Sequence, residues 1–213
     1  MRTEDQTFAL RVLLATDWLD GFNPAMAGEL LRQGRLIRIG KGEWAQGEGD
    51  RDRGLFVVID GLFHTYCTAP GDRDVMIGQA GTGSVLGHTT RFSGGPRLAT
   101  AICIEPAMLL QVPETALERV AESYPEIWRV IANSAYANLR KAMQMMIETI
   151  ALSPRQRIAA RLTANLDLTE PAPITVKLSQ QMLGEMTGLT RKTINGHLRA
   201  FEREGLLVTG YGE

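Results

Sequence analysis

Residues 179–205, SQQMLGEMTGLTRKTINGHLRAFEREG, carry the spacing of two short helices joined by a tight turn. Ser179 is placed to cap a first helix whose Met182, Leu183 and Met186 face inward. Gly188 supplies the turn, and Thr190 caps a second helix with Ile194, Leu198 and Phe201 inward. Gly184, four residues before Gly188, leaves room for two helices crossing steeply, so the stretch reads as a helix-turn-helix. Arg191, Lys192, Asn195 and Arg199 fall on the outer face of the second helix, with His197 close by. No acid occurs from Thr190 to Ala200, in a chain whose formal net charge is -1. Basic residues at a helix start reach base edges and phosphates in the major groove, and Ser179, Gln181, Thr190 and Thr193 can donate to the backbone. Arginine reading guanine through two bonds is the commonest specific contact, which makes Arg191 the first choice for base readout. The plain alternative is a solvated basic face. The agreement of caps, glycines and inward residues favours a nucleic-acid interface over it.

Upstream, Ser153-Pro154 both ends one helix and starts another, since serine caps and proline is pre-set for a first turn. SPRQRIAARLTANL then reads as a helix, TEPAP as a loop and ITVKL as a short strand. Before Ser153, Trp128, Ala132, Ala135, Leu139, Ala142, Met146 and Ile150 recur at steps of three and four, the seam of one long helix. Ile127, Ile131, Met143 and Ile147 flank it, so one face can pack on the preceding domain while the seam meets a second copy of the helix.

From Leu36 to Val112 the period is that of strands: LIRI, LFVVIDGLFHTYC, DVMIGQ, ATAICI and MLLQVP, separated by GDRD, GTGS and SGGP. This is an all-β domain, a sandwich, barrel or roll. Ahead of it, Asn23 caps and Pro24 opens a helix with Met26, Leu30 and Leu31 that stops at Gly34. The expected division is residues 1–125 as effector domain, 126–152 as dimerisation helix and 153–213 as DNA-binding domain.

A chain of 213 residues accommodates two domains, and a near-neutral charge leaves local charge to identify partners. No apolar run is long enough to span a bilayer, and MRTEDQTFAL is not a secretion signal, so no membrane partner and a cytoplasmic location are expected. Cys67 and Cys103 are too few for a disulfide framework and lack metal-site spacing, so neither cofactor nor metal is expected.

The order of a β-roll with paired glycines, a seam helix, SPRQRIAARL and LTRKTINGHLRAFEREGLL closely resembles the Crp/Fnr family of bacterial transcription regulators. KGEWAQGEGD and GLFVVIDG extend the likeness through the roll. The resemblance implies an α+β fold: an N-terminal cyclic-nucleotide-binding-like β-roll (a double-stranded β-helix), a long dimerisation helix and a C-terminal winged helix-turn-helix. It implies double-stranded DNA as ligand, a homodimer through the 126–152 helix and RNA polymerase as a candidate partner.

In that family, the stretch GSVLGHTTRFSGGPRLATA (83–101) corresponds to the cradle that holds cyclic AMP in its best-known members. Gly87 and the phosphate partner Arg97 are kept, whereas the ribose-binding glutamate is His88 and the serine or threonine beside the arginine is Leu98. The adenine-contacting Thr-Ser pair aligns with Ala142 and Met143. Removing such polar contacts costs roughly 1–3 kcal/mol each, so the effector expected here is a small molecule other than cyclic AMP, or none. The iron-sulfur members' N-terminal cysteine cluster is absent, and His64 and Cys67, three apart on a strand, point to opposite faces. The recognition helix departs as well: where R-E-T-V-x-R is frequent, this chain has Arg191-Lys192-Thr193-Ile194-Asn195-Gly196, so the half-site should differ. The terminal LLVTGYGE is short for a full wing.

Two other functions compete with a homodimeric regulator. GTGSVLG at 81–87 contains GxGxxxG, but it lacks the P-loop lysine and lies among strands, so an enzyme is not expected. A cyclic-nucleotide-responsive regulator, or a ligand-binding adaptor acting on a protein partner, is the alternative reading.

Overall fold

The computed structural model describes residues 3–52, 54–88, 94–166, 174–176 and 178–210. They group into two compact units, Met1–Leu139 and Arg140–Glu213.

The first unit is organised by LFVVI, an apolar run without a polar break, the pattern of a strand covered on both faces. The strands are β1 (Arg35–Ile39), β2 (Trp44–Gln46), β3 (Leu55–Ala69), β4 (Arg73–Ala80), β5 (Val85–Leu86) and β6 (Thr100–Val112). They form one antiparallel sheet in the order β1-β6-β3-β4, with β2 pairing β6 and β5 pairing β3. Helices α1 (Thr3–Leu14), α2 (Ala25–Gln33), α3 (Glu114–Ser123) and the start of α4 (Ile127–Ala151) supply the cover on one side. Leu55, Val57 and Ile59 meet Leu13, Leu30, Leu117 and Ile131 there. Phe56 and Val58 point the other way, into a roll interior with Phe63, Ala101, Cys103 and Leu109.

ATAICI and MLLQVP, expected as two strands, are the two halves of β6. Leu62 faces Glu105 and Asp60 faces Met108, so Pro106 and Ala107 together oppose Gly61. A bulge is where a strand tolerates a proline, because the missing N–H falls where the ladder is already interrupted. Gly61 has φ 101°, and a Cβ there would stand 2.6 Å from the Cβ of Ala107.

Ile127, Val130 and Ile131 bury the start of α4 in the first unit's core. Further along, in the second unit, Met143 and Ile147 of that flank are exposed. Tyr136, Leu139, Met146 and Ile150 are exposed as well.

In the second unit Ser153 caps α5 (Pro154–Thr163) in a full capping box with Gln156. Helices α5, α6 (Gln180–Thr187) and α7 (Arg191–Arg203) enclose Ile158, Leu178, Leu183, Ile194, Leu198 and Phe201. Among the described residues of ITVKL none is in a strand, the expectation there is not met by them, and the Leu178 N–H donates to the Val176 carbonyl. TEPAP lies outside the described residues. Residues 206–210 form no wing strand either, because Thr209 donates through both N and Oγ1 to Glu202 and turns the chain back onto α7. No helix among the described residues is long and apolar enough to cross a membrane.

Replacing Gly61 by alanine forces a side chain into both an unfavourable φ and Ala107. Urea unfolding should show a loss of about 2 kcal/mol or more.

Candidate functional site: a nucleic-acid interface and an altered cradle

The second unit builds its exposed basic row from two side-chain caps and one left-handed turn. Ser179 Oγ accepts from Met182 N at 3.2 Å, and Thr190 Oγ1 accepts from Thr193 N at 3.2 Å. Gly188 ends α6 at φ 68°, a conformation that costs glycine little, and Arg157 donates to the Thr187 carbonyl at 3.0 Å. A Cβ on Gly184 would stand 3.0 Å from the Leu189 carbonyl oxygen, so a larger residue there would crowd the turn. With Ile194, Leu198 and Phe201 buried, the helical period sends Arg191, Lys192, Gly196 and Arg199 to solvent.

Among the expected contacts, Thr190, Arg191, Lys192 and Arg199 are exposed, while Thr193 and Asn195 are half-buried. Thr190 and Thr193 share a hydroxyl hydrogen bond at 2.9 Å, and Gln181 is exposed and donates to Glu185 at 3.0 Å. Asn195 donates to Gln180 at 3.3 Å, a partner that the sequence reading did not single out. Gly196 adjoins open space, with nothing within 4 Å of where a Cβ would be.

The first unit brings Gly87 and Arg97 into contact: a Cβ on Gly87 would stand 2.7 Å from Arg97 Cζ. Arg97 is 2% exposed, and its partners belong to the protein. Nη1 donates to Gln46 Oε1 at 2.9 Å; Nη2 donates to Asp52 Oδ2 at 2.9 Å and to the Gly54 carbonyl at 3.0 Å. The guanidinium also lies 5.5 Å from the Phe56 ring centre. Its backbone is tied to the same loop, Arg97 N donating to Asp50 O and Gly49 N to Arg97 O. A buried guanidinium needs a countercharge, and Asp52 provides one from within the chain. The sequence held no signal for this, since nothing in spacing pairs residues 45 apart.

His88 is 4% exposed. Its Nε2 lies 3.2 Å from Asn138 Nδ2 on α4; an amide nitrogen only donates, so Nε2 accepts and the proton resides on Nδ1. Nδ1 is buried and no acceptor meets full hydrogen-bond geometry there, although the Val85 carbonyl lies near enough to favour the protonated ring. Burial first, and the nearby Arg97 charge second, push the imidazole down to about 4, with the Val85 carbonyl opposing. Leu98 is 67% exposed, and its carbonyl accepts from Cys67 Sγ at 3.1 Å. Ala142 and Met143, also expected at the effector site from the sequence, belong to the second unit and are exposed. Residues 89–93 of the cradle stretch lie outside the described residues. His64 pairs with Gln79, and no group of three or more metal-ligating side chains is gathered among the described residues.

A roll with an arginine-bearing cradle followed by a capped, basic helix-turn-helix defines a DNA-binding regulator with a sensor-type domain. Residues 36–124 match the cyclic nucleotide-binding domain, and residues 156–212 match the Crp-like helix-turn-helix domain. The chain belongs to the Crp/Fnr family of transcription regulators, and it is a regulator rather than an enzyme. It is 22% identical, over 91% of its length and 89% of the relative's, to the CRP-like cAMP-activated global transcriptional regulator of Mycobacterium tuberculosis. Against the nitrogen fixation regulation protein FixK of Bradyrhizobium diazoefficiens it is 25% identical, covering 84% and 76% of the two chains. The fold is similar to that of the c-di-GMP responsive global regulator CLP of Xanthomonas campestris, with a TM-score of 0.76, 18% identity and coverage of 89% and 97%.

Gly196→Ala adds a side chain into open space within a helix. Its stability should rise by about 1 kcal/mol in urea titration, while its DNA affinity falls if that space receives the duplex. The folded protein keeps His88 neutral to about 4, whereas an exposed histidine takes a proton near 6.5. The unfolded chain therefore binds the extra proton between those values, and stability falls as pH drops from about 6.5 towards 4. His88→Gln should flatten that part of the stability–pH curve.

Proposed function

We propose that this regulator acts as a homodimer that binds a pseudo-palindromic operator, with the α7 helices of the two copies entering successive major grooves. The observation that carries this reading is the row Arg191, Lys192 and Arg199, exposed on a capped helix whose opposite face is buried. Arg191 and Lys192 read base edges, Thr190, Thr193, Ser179 and Gln181 serve the phosphates, and Arg199 anchors the far end. Dimerisation runs through residues 126–152. Tyr136, Leu139, Met146 and Ile150 line one exposed apolar row there, and a second copy is its economical cover. A ligand of this kind places the protein's work in the cytoplasm, at promoters where RNA polymerase is the partner acted upon.

The cyclic AMP named for the M. tuberculosis relative is not carried over. An anionic effector at Arg97 competes with Asp52, and His88 and Leu98 offer no ribose-side carboxylate or hydroxyl. The effector of this chain is a different small molecule, or the roll works without one.

Selection from random duplexes should enrich an inverted repeat, and Arg191→Ala and Lys192→Ala should each relax one position of it. A basic adaptor that binds only protein would enrich nothing. Leu139→Asp with Met146→Asp should halve the mass seen in sedimentation; an unchanged mass would place the dimer contact elsewhere. Calorimetric titration should detect no tight binding of cyclic AMP to the wild-type protein.

A further inference from the structure

Asn195 sits one turn after Arg191 and one turn before Arg199, half-buried between these two exposed members of the proposed DNA-facing row. Its Nδ2 donates to Oε1 of Gln180, the first residue of α6, at 3.3 Å. That single bond does two things. It favours one orientation of the amide about its last torsion, and it uses one of the two N–H groups, which leaves the other N–H and Oδ1 for a ligand. A donor and an acceptor held in one plane match the major-groove edge of adenine, whose N7 accepts and whose N6 donates. The neighbouring residue, Gly196, adds no bulk: a Cβ there would meet nothing within 4 Å, so a base pair can approach the amide closely.

We propose that Gln180 is a positioning residue for sequence readout, holding the Asn195 amide so that Asn195 reads an adenine in each half-site. The inference rests on the DNA-binding reading above and deepens it. Gln180 accepts through Oε1 only, so its own Nε2 keeps two donors, at the end of a helix where phosphate is favoured. One residue thus joins backbone positioning to base readout. An amide anchored before DNA arrives loses less freedom on binding than an unanchored one. Adenine preference therefore depends on the acceptor at position 180, not merely on the presence of Asn195.

The test is quantitative binding to the selected duplex and to its single-base variants, with circular dichroism confirming that each protein is folded. Wild type should prefer adenine about tenfold at one half-site position. Asn195→Ala should abolish the preference there and nowhere else, and Gln180→Leu should abolish it at the same position. Gln180→Glu keeps an acceptor but repels phosphate, so it should retain the adenine preference while weakening binding to every duplex. Adding Gln180→Leu to Asn195→Ala should cost nothing further at that position, because the two act as a unit. The proposal is overturned if Gln180→Leu leaves the preference intact, if Gln180→Glu loses it as fully as leucine does, or if Asn195→Ala alters no position. If wild type selects a motif without that adenine, this inference fails and the DNA-binding reading stands. If it selects no motif, both fail.

Discussion

The left-handed turn at Gly188, closed on either side by the Ser179 and Thr190 caps, is the constraint on which the functional face depends. It fixes where α7 starts and therefore which residues of a 3.6-residue period fall inward. Because Ile194, Leu198 and Phe201 take the interior with Ile158 and Leu183, the outward positions are filled by Arg191, Lys192, Gly196 and Arg199. A shift of one residue at the turn would rotate every side chain of α7 by about 100° and bury a cation. The caps supply orphan N–H groups with acceptors, and each such cap is worth about 1 kcal/mol.

The roll depends on an interaction of another kind. Arg97 carries its charge into a nearly dry site and finds Asp52, Gln46 and the Gly54 carbonyl waiting, with Gly87 leaving it space. This arrangement gives the arginine an anion belonging to the chain itself. His88 then faces Asn138 as a neutral base, and no carboxylate remains at its position to hold a sugar hydroxyl. The shape is shared and the polar contents differ, and the proposal that the effector is not cyclic AMP rests on that difference.

Much of this was legible in the sequence because it is local. The helix-turn-helix, its two caps and its inward residues follow from spacings of three and four, and Ser153-Pro154 announced the start of α5 in two residues. What escaped was non-local or depended on a partner. The pairing of Arg97 with Asp52, of His88 with Asn138 and of Asn195 with Gln180 joins positions 45, 50 and 15 apart, which no periodicity reports. ITVKL has strand propensity, yet its described residues join no ladder, and ATAICI and MLLQVP read as two strands whereas the bulge opposite Gly61 lets them continue as one.

The central claim is that two copies of α7 read successive major grooves from one dimer. Hydroxyl-radical footprinting on the selected duplex measures this most directly. Two protected patches with their centres about one helical turn apart, roughly 10 base pairs, are expected, both lost in Arg191→Ala. A single patch, or protection that does not depend on Arg191, would contradict the account.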